Sequence, residues 1–214
     1  MVDANETSSP SKHAGSKPLF VGIAGGTASG KTTLVNQLVR NLSDVGVVSL
    51  CFDSYYREFS HLPFEERERI NFDSPEAFDH SLFRAHLSEL AAGREIQAPL
   101  YDYAEHCRRT ETVRIAPSPV VLLDGFLLLH DEETRKFMTL TAFIDVDPEV
   151  RFQRRLLRDT KERGRTPESV VQWWHERVYP SHVQYCQPTC QFANFVLGDR
   201  ETWPEFESAI RNAL

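Results

Sequence analysis

The chain has little cysteine and no long apolar stretch, and both absences narrow what it can be. Four cysteines in 214 residues are too few and too irregularly spaced for a disulfide framework or for a zinc site built on C-x-x-C pairs. No segment approaches the roughly 18 apolar residues of a membrane span. Residues 1–18 are rich in Ser, Lys, Asn, Gly and Pro and lack the apolar centre of a secretory signal. We therefore expect reduced thiols, a disordered tail over 1–18, and a soluble, cytoplasmic protein.

Basic residues are also fewer than acidic ones. The chain carries 24 Lys and Arg against 31 Asp and Glu, a net charge of -7, which argues against a general nucleic-acid surface. The length suits one α/β domain, expected over 19–214, and no internal repeat divides it. One local exception stands out, because residues 151–165 contain seven basic and two acidic side chains.

Residues 25–32 match the phosphate-loop pattern G-x-x-x-x-G-K-[ST]. Gly25 and Gly30 allow backbone conformations that a Cβ would forbid, so that successive N–H groups can surround a β-phosphate. Lys31 would reach the β- and γ-phosphates, and the Thr32 hydroxyl would ligate Mg²⁺. A Gly-rich turn that merely joins a strand to a helix is the alternative, and the apolar strand before the loop and the helix after it argue against that reading. The predicted nucleotide-binding residues are Gly25, Gly26, Thr27, Ala28, Ser29, Gly30, Lys31, Thr32 and Thr33.

Continuous apolar runs and helix-like apolar spacing alternate along the chain. Runs without polar alternation indicate strands covered on both faces, which predicts an α/β fold of the P-loop NTPase type with a five-stranded, mostly parallel sheet between helices. The predicted strands are 19–24, 45–52, 120–123, 141–146 and 193–197, and the predicted helices are 33–40, 78–92, 148–162, 166–186 and 203–214. A small β-hairpin, residues 95–103 with 110–115, is expected as an insertion over about 94–116.

Two carboxylates follow predicted strands at the edge where ligands bind in parallel sheets. Asp124 comes after an apolar run and would hold Mg²⁺ opposite the Thr32 hydroxyl; a simple turn with Gly125 is the alternative. Asp53 follows the second strand, where a carboxylate could orient an attacking hydroxyl and accept its proton. The sequence therefore predicts that these two side chains and the phosphate loop converge on one edge.

The basic segment has helical spacing. At 100° per residue, Arg151, Arg155 and Arg158 lie within about 60° of one another, while Phe152 and Leu156 are predicted to point toward the core. This pattern indicates an amphipathic helix with a cationic face.

We expect that helix to carry a lid over about 154–166, stopped or hinged at Gly164. Cations on a closing lid can neutralise a transferring phosphoryl group and exclude water. A solvated basic face paired with surface acids remains the alternative.

Aromatic side chains accumulate near the predicted hairpin. Tyr56, Phe72, Tyr101, Tyr103 and His106 combine flat faces with hydrogen-bonding edges, as a planar nucleobase requires. Packing in an ordinary core is the alternative for such residues.

Together these segments resemble the uridine kinase (uridine-cytidine kinase) family of P-loop kinases, over about 19–194. Beyond the phosphate loop the similarity rests on five ordered motifs, which are DSYY at 53–56, NFDSPEAFD at 71–79, PLYDY at 99–103 with His106, TETV at 110–113, and RRLLRD at 154–159 leading to ERGR at 162–165. Two departures stand out: the family usually has Glu-Gly where this chain has Asp124-Gly125, and a Pro-Arg-Gly loop where it has residues 197–200.

The resemblance implies ATP-dependent phosphorylation of the 5′-hydroxyl of uridine and cytidine in pyrimidine salvage, with Mg²⁺ and with ATP or GTP as donor. It also implies a homotetramer and feedback inhibition by pyrimidine triphosphates. The net charge and the lack of a long apolar run predict no nucleic-acid or membrane partner. By matching position the implied catalytic residues are Asp53, Lys31, Arg158 and Arg163, with Mg²⁺ at Thr32 and Asp124. The implied substrate-binding residues are Asp73 for the ribose hydroxyls, Arg155 and Arg165 near the nucleoside, Tyr101 and His106 at the base edge, and Tyr56, Phe72 and Tyr103 around it.

Two other functions share parts of this pattern. A P-loop kinase for nicotinamide riboside or a sugar phosphate would have the same phosphate loop, but it is not expected to combine the hairpin with the Arg-Gly-Arg lid. A GTP-dependent switch protein would need a guanine-reading N-K-x-D string and usually D-x-x-G, and neither occurs in the chain.

Overall fold

A parallel five-stranded sheet forms the centre of the protein, which we describe from a computed structural model covering residues 17–198 and 200–214. The strands in chain order are β1 (Leu19–Gly25), β2 (Val47–Cys51), β3 (Ile96–Asp102), β4 (Cys107–Ile115), β5 (Val120–Gly125), β6 (Leu140–Ile144) and β7 (Phe195–Leu197). The sheet has the order β2-β5-β1-β6-β7, with every neighbouring pair parallel. The predicted α/β fold is thus confirmed. The predicted tail lies outside the described residues, apart from Lys17 and Pro18.

The predicted strands are present, with shifted ends. β1 and β5 are buried along their whole length, as expected of strands covered on both faces. β2 begins two residues later than predicted because Gly46, at φ 84°, forms a turn that ordinary residues adopt poorly. It stops at Cys51, and the next three residues form a 3₁₀ turn, Phe52–Ser54. That turn carries Asp53 at the strand end.

The helices are α1 (Lys31–Asn41), α2 (Phe64–Arg67), α3 (His80–Ala91), α4 (Glu132–Arg135), α5 (Pro148–Glu162), α6 (Pro167–Trp173), α7 (Tyr179–Ser181) and α8 (Trp203–Asn212). α5 has its predicted bounds, and α1, α3 and α8 lie close to theirs. α2 and α4 have four residues each, too few to show a helical period.

The helix predicted over 166–186 is present as one continuous helical stretch over 167–186, but it is not regular. Two π-helical segments, Trp174–Val178 and His182–Cys186, flank the short α7. Pro180 lies between them and has no N–H for a regular helical hydrogen bond, and a wider turn is one way for a helix to absorb such a defect. The π segments rotate the following side chains relative to a regular helix.

The sheet separates two hydrophobic clusters. Successive residues of β1 alternate between them, since Phe20 belongs to one cluster and Val21 to the other. α1 and α8 cover one face of the sheet. On the other face α3 packs together with the hairpin of β3 and β4, which forms a separate two-stranded sheet and confirms the predicted insertion. No helix in the described part of the chain is both long and apolar enough to cross a membrane.

We expect Phe83→Ala to lower stability strongly. The Phe83 side chain is fully buried between the rings of Phe52 and Tyr55, with centroids 4.7 and 4.8 Å away, so truncation leaves a cavity costing about 3–5 kcal/mol. Urea unfolding measures this loss. The control Phe64→Ala, at a side chain 37% exposed, should cost about 1 kcal/mol or less. Equal losses at the two positions would contradict the described core.

Candidate active site

The phosphate loop adopts the backbone that its glycines predict. Gly25 and Gly30 have φ angles of 142° and 107°, and a Cβ on Gly25 would lie 2.6 Å from the carbonyl oxygen of Ile144. Lys31 is buried, and its Nζ donates hydrogen bonds to the carbonyl oxygens of Gly25 (2.8 Å) and Gly26 (3.0 Å). The lysine that was predicted to contact phosphate thus stabilises the curl of its own loop.

Asp53 and Asp124 meet beside this loop. Asp124 is paired in register with Ile23 of β1 and with Cys51 of β2. Asp53 follows Cys51 by two residues, so its carboxylate lies close to that of Asp124. The Oδ1 of Asp53 accepts a hydrogen bond from the backbone N–H of Phe126 at 3.0 Å. The predicted convergence on one sheet edge is confirmed, and both carboxylates line a single cleft of about 930 Å³ together with residues 27–33.

The donor set at this edge suits a hard divalent cation. Burial raises the pKa of Asp124 to about 7, the charge of Asp53 adds to the shift, and Lys31 opposes it. A bound cation would relieve the cost of that buried carboxylate. Hydroxyl and carboxylate oxygens from Thr32, Asp124 and Asp53 are ligands that Mg²⁺ prefers. Within the described residues no group of three or more His, Cys, Asp or Glu side chains could hold a metal alone.

The cations of the predicted lid gather around one buried carboxylate. Asp159 is fully buried and lies 3.3 Å from Arg155, 2.8 Å from Arg158 and 3.6 Å from Arg163. Burial alone would raise the pKa of Asp159, but the three guanidinium groups outweigh it and hold that pKa below its usual value. Asp159 therefore fixes three arginines of the cleft in one cluster.

The predicted orientation of α5 needs correction. Its buried residues are Arg151, Arg155 and Asp159, whereas Phe152 and Leu156 are only half-buried. Phe152 does not enter the sheet's core but packs on Trp174, with ring centroids 5.4 Å apart. The inward face of α5 meets the polar phosphate loop, so its inward residues are charged. Unlike the other arginines of the predicted cationic face, Arg151 does not line the cleft.

The far end of the cleft combines one carboxylate with several cations. Arg155 donates a hydrogen bond to the Thr27 hydroxyl at 3.2 Å, which joins this end to the phosphate loop. Burial raises the pKa of Asp73, and the nearby Arg155, Arg165 and Arg177 oppose that shift. A ligand with hydroxyl groups could donate hydrogen bonds to the Asp73 carboxylate here.

The predicted aromatic residues all line this same end. The His106 ring stacks on Phe72, with centroids 5.0 Å apart and planes 15° from parallel, and Tyr56 lies 4.8 Å from Tyr101. The buried Tyr101 hydroxyl has no hydrogen-bond partner within the described residues. Burial, reinforced by Arg165, lowers the pKa of His106 to about 4, so its imidazole is neutral near pH 7. The Tyr101 hydroxyl and the edge of the His106 imidazole are therefore available for hydrogen bonds to a planar polar ring.

Tyr103, predicted to pack around a base, also contacts groups outside the aromatic end. Its hydroxyl donates to the backbone carbonyl of Asp53 at 3.3 Å, and the guanidinium of Arg163 lies over its ring, 4.6 Å from the centroid. Tyr103 thus connects the hairpin to the strand-end carboxylate and to the lid.

Sequence reasoning missed Trp173 and Arg177 as cleft residues. The Trp173 ring carries the guanidinium of Arg165 at 4.2 Å and that of Arg177 at 5.6 Å, and Arg177 also donates to the carbonyl oxygen of Glu68 at 3.0 Å. Aromatic residues at helical spacing usually indicate core. The only sequence signal was an arginine one turn after a tryptophan.

The chain is similar over most of its length to a known family of proteins. The family model described as phosphoribulokinase / uridine kinase family matches residues 20–202. A uridine kinase from Deinococcus deserti is 45% identical over 181 residues, covering 85% of this chain and 87% of the relative. A uridine kinase from Geobacillus kaustophilus is 40% identical over 183 residues, covering 86% and 87%.

Solved structures share the fold at lower identity. A possible uridine kinase from Bacillus stearothermophilus superposes with a TM-score of 0.60 at 20% identity, over 87% of this chain and 91% of the other. Phosphoribulokinase from Rhodobacter spheroides gives a TM-score of 0.66 at 16% identity, over 85% and 70%. The match over most of the chain, on a P-loop kinase fold, means that this protein belongs to the phosphoribulokinase / uridine kinase family.

Proposed function

We propose that the protein is a uridine kinase, which transfers the γ-phosphate of ATP to the 5′-hydroxyl of uridine and of cytidine. Relatives named uridine kinase match about 85% of the chain at 40–45% identity. The observation that carries the proposal is a single cleft in which the phosphate loop, Asp53 and the aromatic end containing His106 are continuous. Donor and acceptor could therefore meet at the carboxylate.

On this proposal Asp53 orients the attacking hydroxyl and accepts its proton. Its hydrogen bond from Phe126 holds one carboxylate oxygen, which leaves the other for the acceptor. Phosphoryl transfer depends mainly on positioning and charge stabilisation, so a weak base held in line suffices. Lys31 would exchange its loop carbonyls for phosphate oxygens as the nucleotide binds.

The arginines around Asp159 would stabilise charge on the transferring group. Arg158 and Arg163 line the cleft on the lid side, where guanidinium groups preorganised by a buried carboxylate lose little energy on reorganisation. Mg²⁺, held by Thr32 and Asp124 with the phosphates, would supply further charge neutralisation. Closure of residues 154–166 would exclude water from the reaction.

The aromatic end would bind the nucleoside. Asp73 would accept hydrogen bonds from the ribose hydroxyls, with Arg155 and Arg165 beside it. The neutral imidazole of His106 can donate or accept a hydrogen bond, so it is compatible with O4 of uracil and with the N4 amine of cytosine. We also propose a cytoplasmic homotetramer, on the resemblance of the chain to its family, and light scattering would measure the assembly.

A substrate panel tests the proposal directly. With ATP and GTP as donors, we expect turnover of uridine and cytidine and little turnover of nicotinamide riboside or ribulose 5-phosphate. Steady-state kcat/KM for each pair is the measurement. Absence of activity on both pyrimidine nucleosides, alongside good turnover of another acceptor, would overturn the assignment in favour of a related small-molecule kinase.

Asp53→Asn should lower kcat by about 10²–10⁴-fold while the KM for ATP changes little, because the amide keeps an oxygen for the Phe126 N–H but cannot accept a proton. Initial rates at saturating substrates measure the effect. The control Asp131→Asn removes a carboxylate that pairs with Arg84 at 2.7 Å outside the cleft, and it should affect melting temperature only. Lost ATP binding with retained turnover at saturation would make Asp53 a ligand-binding residue and not the base.

His106→Asn should raise the KM for uridine roughly tenfold, the loss expected for one or two hydrogen bonds, with the KM for ATP unchanged. Asn is the suitable replacement because His106 has φ 52°, and Asn tolerates the left-handed region. The exposed His61 gives the matched control, His61→Asn, which should be neutral.

The KM for uridine should also show no inflection near pH 6.5. The pKa of His106 lies below its usual value, at about 4, so the imidazole becomes charged only as the pH falls toward that value. A wild-type inflection near pH 6.5 that disappears in His106→Asn would contradict the buried, neutral imidazole.

A further inference from the structure

Arg151 is a buried cation that forms no ion pair with any described residue. Its side chain is 1% exposed, and its Nε donates to the carbonyl oxygen of Val146 at 3.0 Å. Among the residues that the structure describes, its Nη1 and Nη2 have no hydrogen-bond partner, and no carboxylate lies within the 4.0 Å of an ion pair. The Trp174 ring, 5.6 Å from the guanidinium carbon, gives only partial compensation.

The position of Arg151 in the fold makes its buried charge still less favourable. It lies in the first turn of α5, at the partial positive end of the helix dipole, where a cation is unfavourable. Burial lowers the pKa of Arg151, and the more distant Asp145 and Asp147 oppose the shift without forming an ion pair. A buried group of this kind destabilises the fold unless something else compensates the charge.

The guanidinium lies directly against the phosphate loop. A Cβ added to Gly26 would contact Nη1 and lie 2.7 Å from Cζ of Arg151. The φ angle of Gly26 lies outside the +20° to +160° range, so its backbone conformation does not itself require glycine. The absence of a side chain at Gly26 therefore makes room for Arg151.

The far side of the loop is where phosphates would bind. Residues 27–33 line the cleft, whereas neither Gly26 nor Arg151 does. Arg151 is thus separated from a bound nucleotide by the Gly26 backbone and cannot contact it. Its charge is still close enough to act through a buried layer of protein, where electrostatic screening is weak.

We infer that Arg151 is a positioning residue of the phosphate loop, whose unpaired charge is compensated when a nucleotide's phosphates bind on the opposite side of Gly26. This inference rests on the nucleotide half of the proposed function and is independent of the acceptor. The buried cation lowers the stability of the fold when no nucleotide is bound, and nucleotide binding would offset that loss. Arg151 would then strengthen ATP binding while it weakens the empty fold.

Arg151→Met tests whether the charge of Arg151 both weakens the fold and strengthens ATP binding. Methionine fills much of the same space without charge, so the melting temperature without ligand should equal or exceed that of the wild type. The rise in melting temperature caused by Mg²⁺ and ADP should fall, and the KM for ATP should increase roughly tenfold, as expected for losing one weakly screened charge. The KM for uridine should stay within about twofold. Arg151→Lys, which keeps the charge, should restore most of the ATP affinity.

Arg84→Met is the control for a purely structural arginine. Arg84 pairs with Asp131 outside the cleft, so this variant should melt earlier with an unchanged KM for ATP. The same pattern in Arg151→Met would overturn the inference. A wild type that ADP does not stabilise would instead refute the nucleotide half of the proposed function, and the inference with it.

A double-mutant cycle gives an independent readout. Gly26→Ala places a methyl group where the guanidinium lies, so it should raise the KM for ATP in the wild type and much less in Arg151→Met. Should the methionine variant fail to fold, the cycle is run with Arg151→Lys, whose narrower ammonium also leaves room for the methyl group. Additive effects of the two substitutions would show that Gly26 and Arg151 are independent and would contradict the inference.

Discussion

The site depends on the parallel register of β1 with β5 and of β5 with β2. Because Ile23 and Cys51 both pair with Asp124, these three strands end at one level. The phosphate loop, Asp53 and Asp124 leave the sheet side by side for that reason alone. A slip of one residue in β5 would turn Asp124 to the other face of the sheet. The extensive apolar burial of β1 and β5 therefore protects the catalytic geometry as well as the fold.

Charge in the cleft is organised by a few buried groups. Asp159 holds three arginines close together, although like charges at such distances repel one another. Asp73 and Asp124 face cations or a second carboxylate in surroundings that raise their pKa. Buried charges of this kind are costly when they lack partners. On the proposed function, phosphates, hydroxyls and a divalent ion would supply those partners, so part of the protein's stability would be exchanged for substrate affinity.

Much of this could be predicted from the chain because the decisive signals are local. The phosphate loop is a contiguous string, and Asp53 and Asp124 each follow an apolar run that ends where the sheet does. The burial of Arg151 could not be predicted, because helical periodicity shows which residues share a face of α5 but not what that face meets. Its partner Gly26 is far away in sequence, and only the fold brings the two together. Trp173 was missed because an aromatic residue at helical spacing usually indicates core, and Arg177 lies inside a π segment that apolar spacing does not reveal.

Tyr103 contacts groups from both halves of the transfer site. Its hydroxyl holds the backbone of Asp53, and its ring supports Arg163 on the lid. On the proposed function, a nucleoside that orders the hairpin would also order the Tyr103 ring, which supports the arginine proposed to face the phosphates. By thermodynamic linkage the effect must be reciprocal: whatever factor the acceptor adds to nucleotide affinity, the nucleotide adds to acceptor affinity. The two substrates of this cleft are therefore expected to bind cooperatively through one aromatic ring.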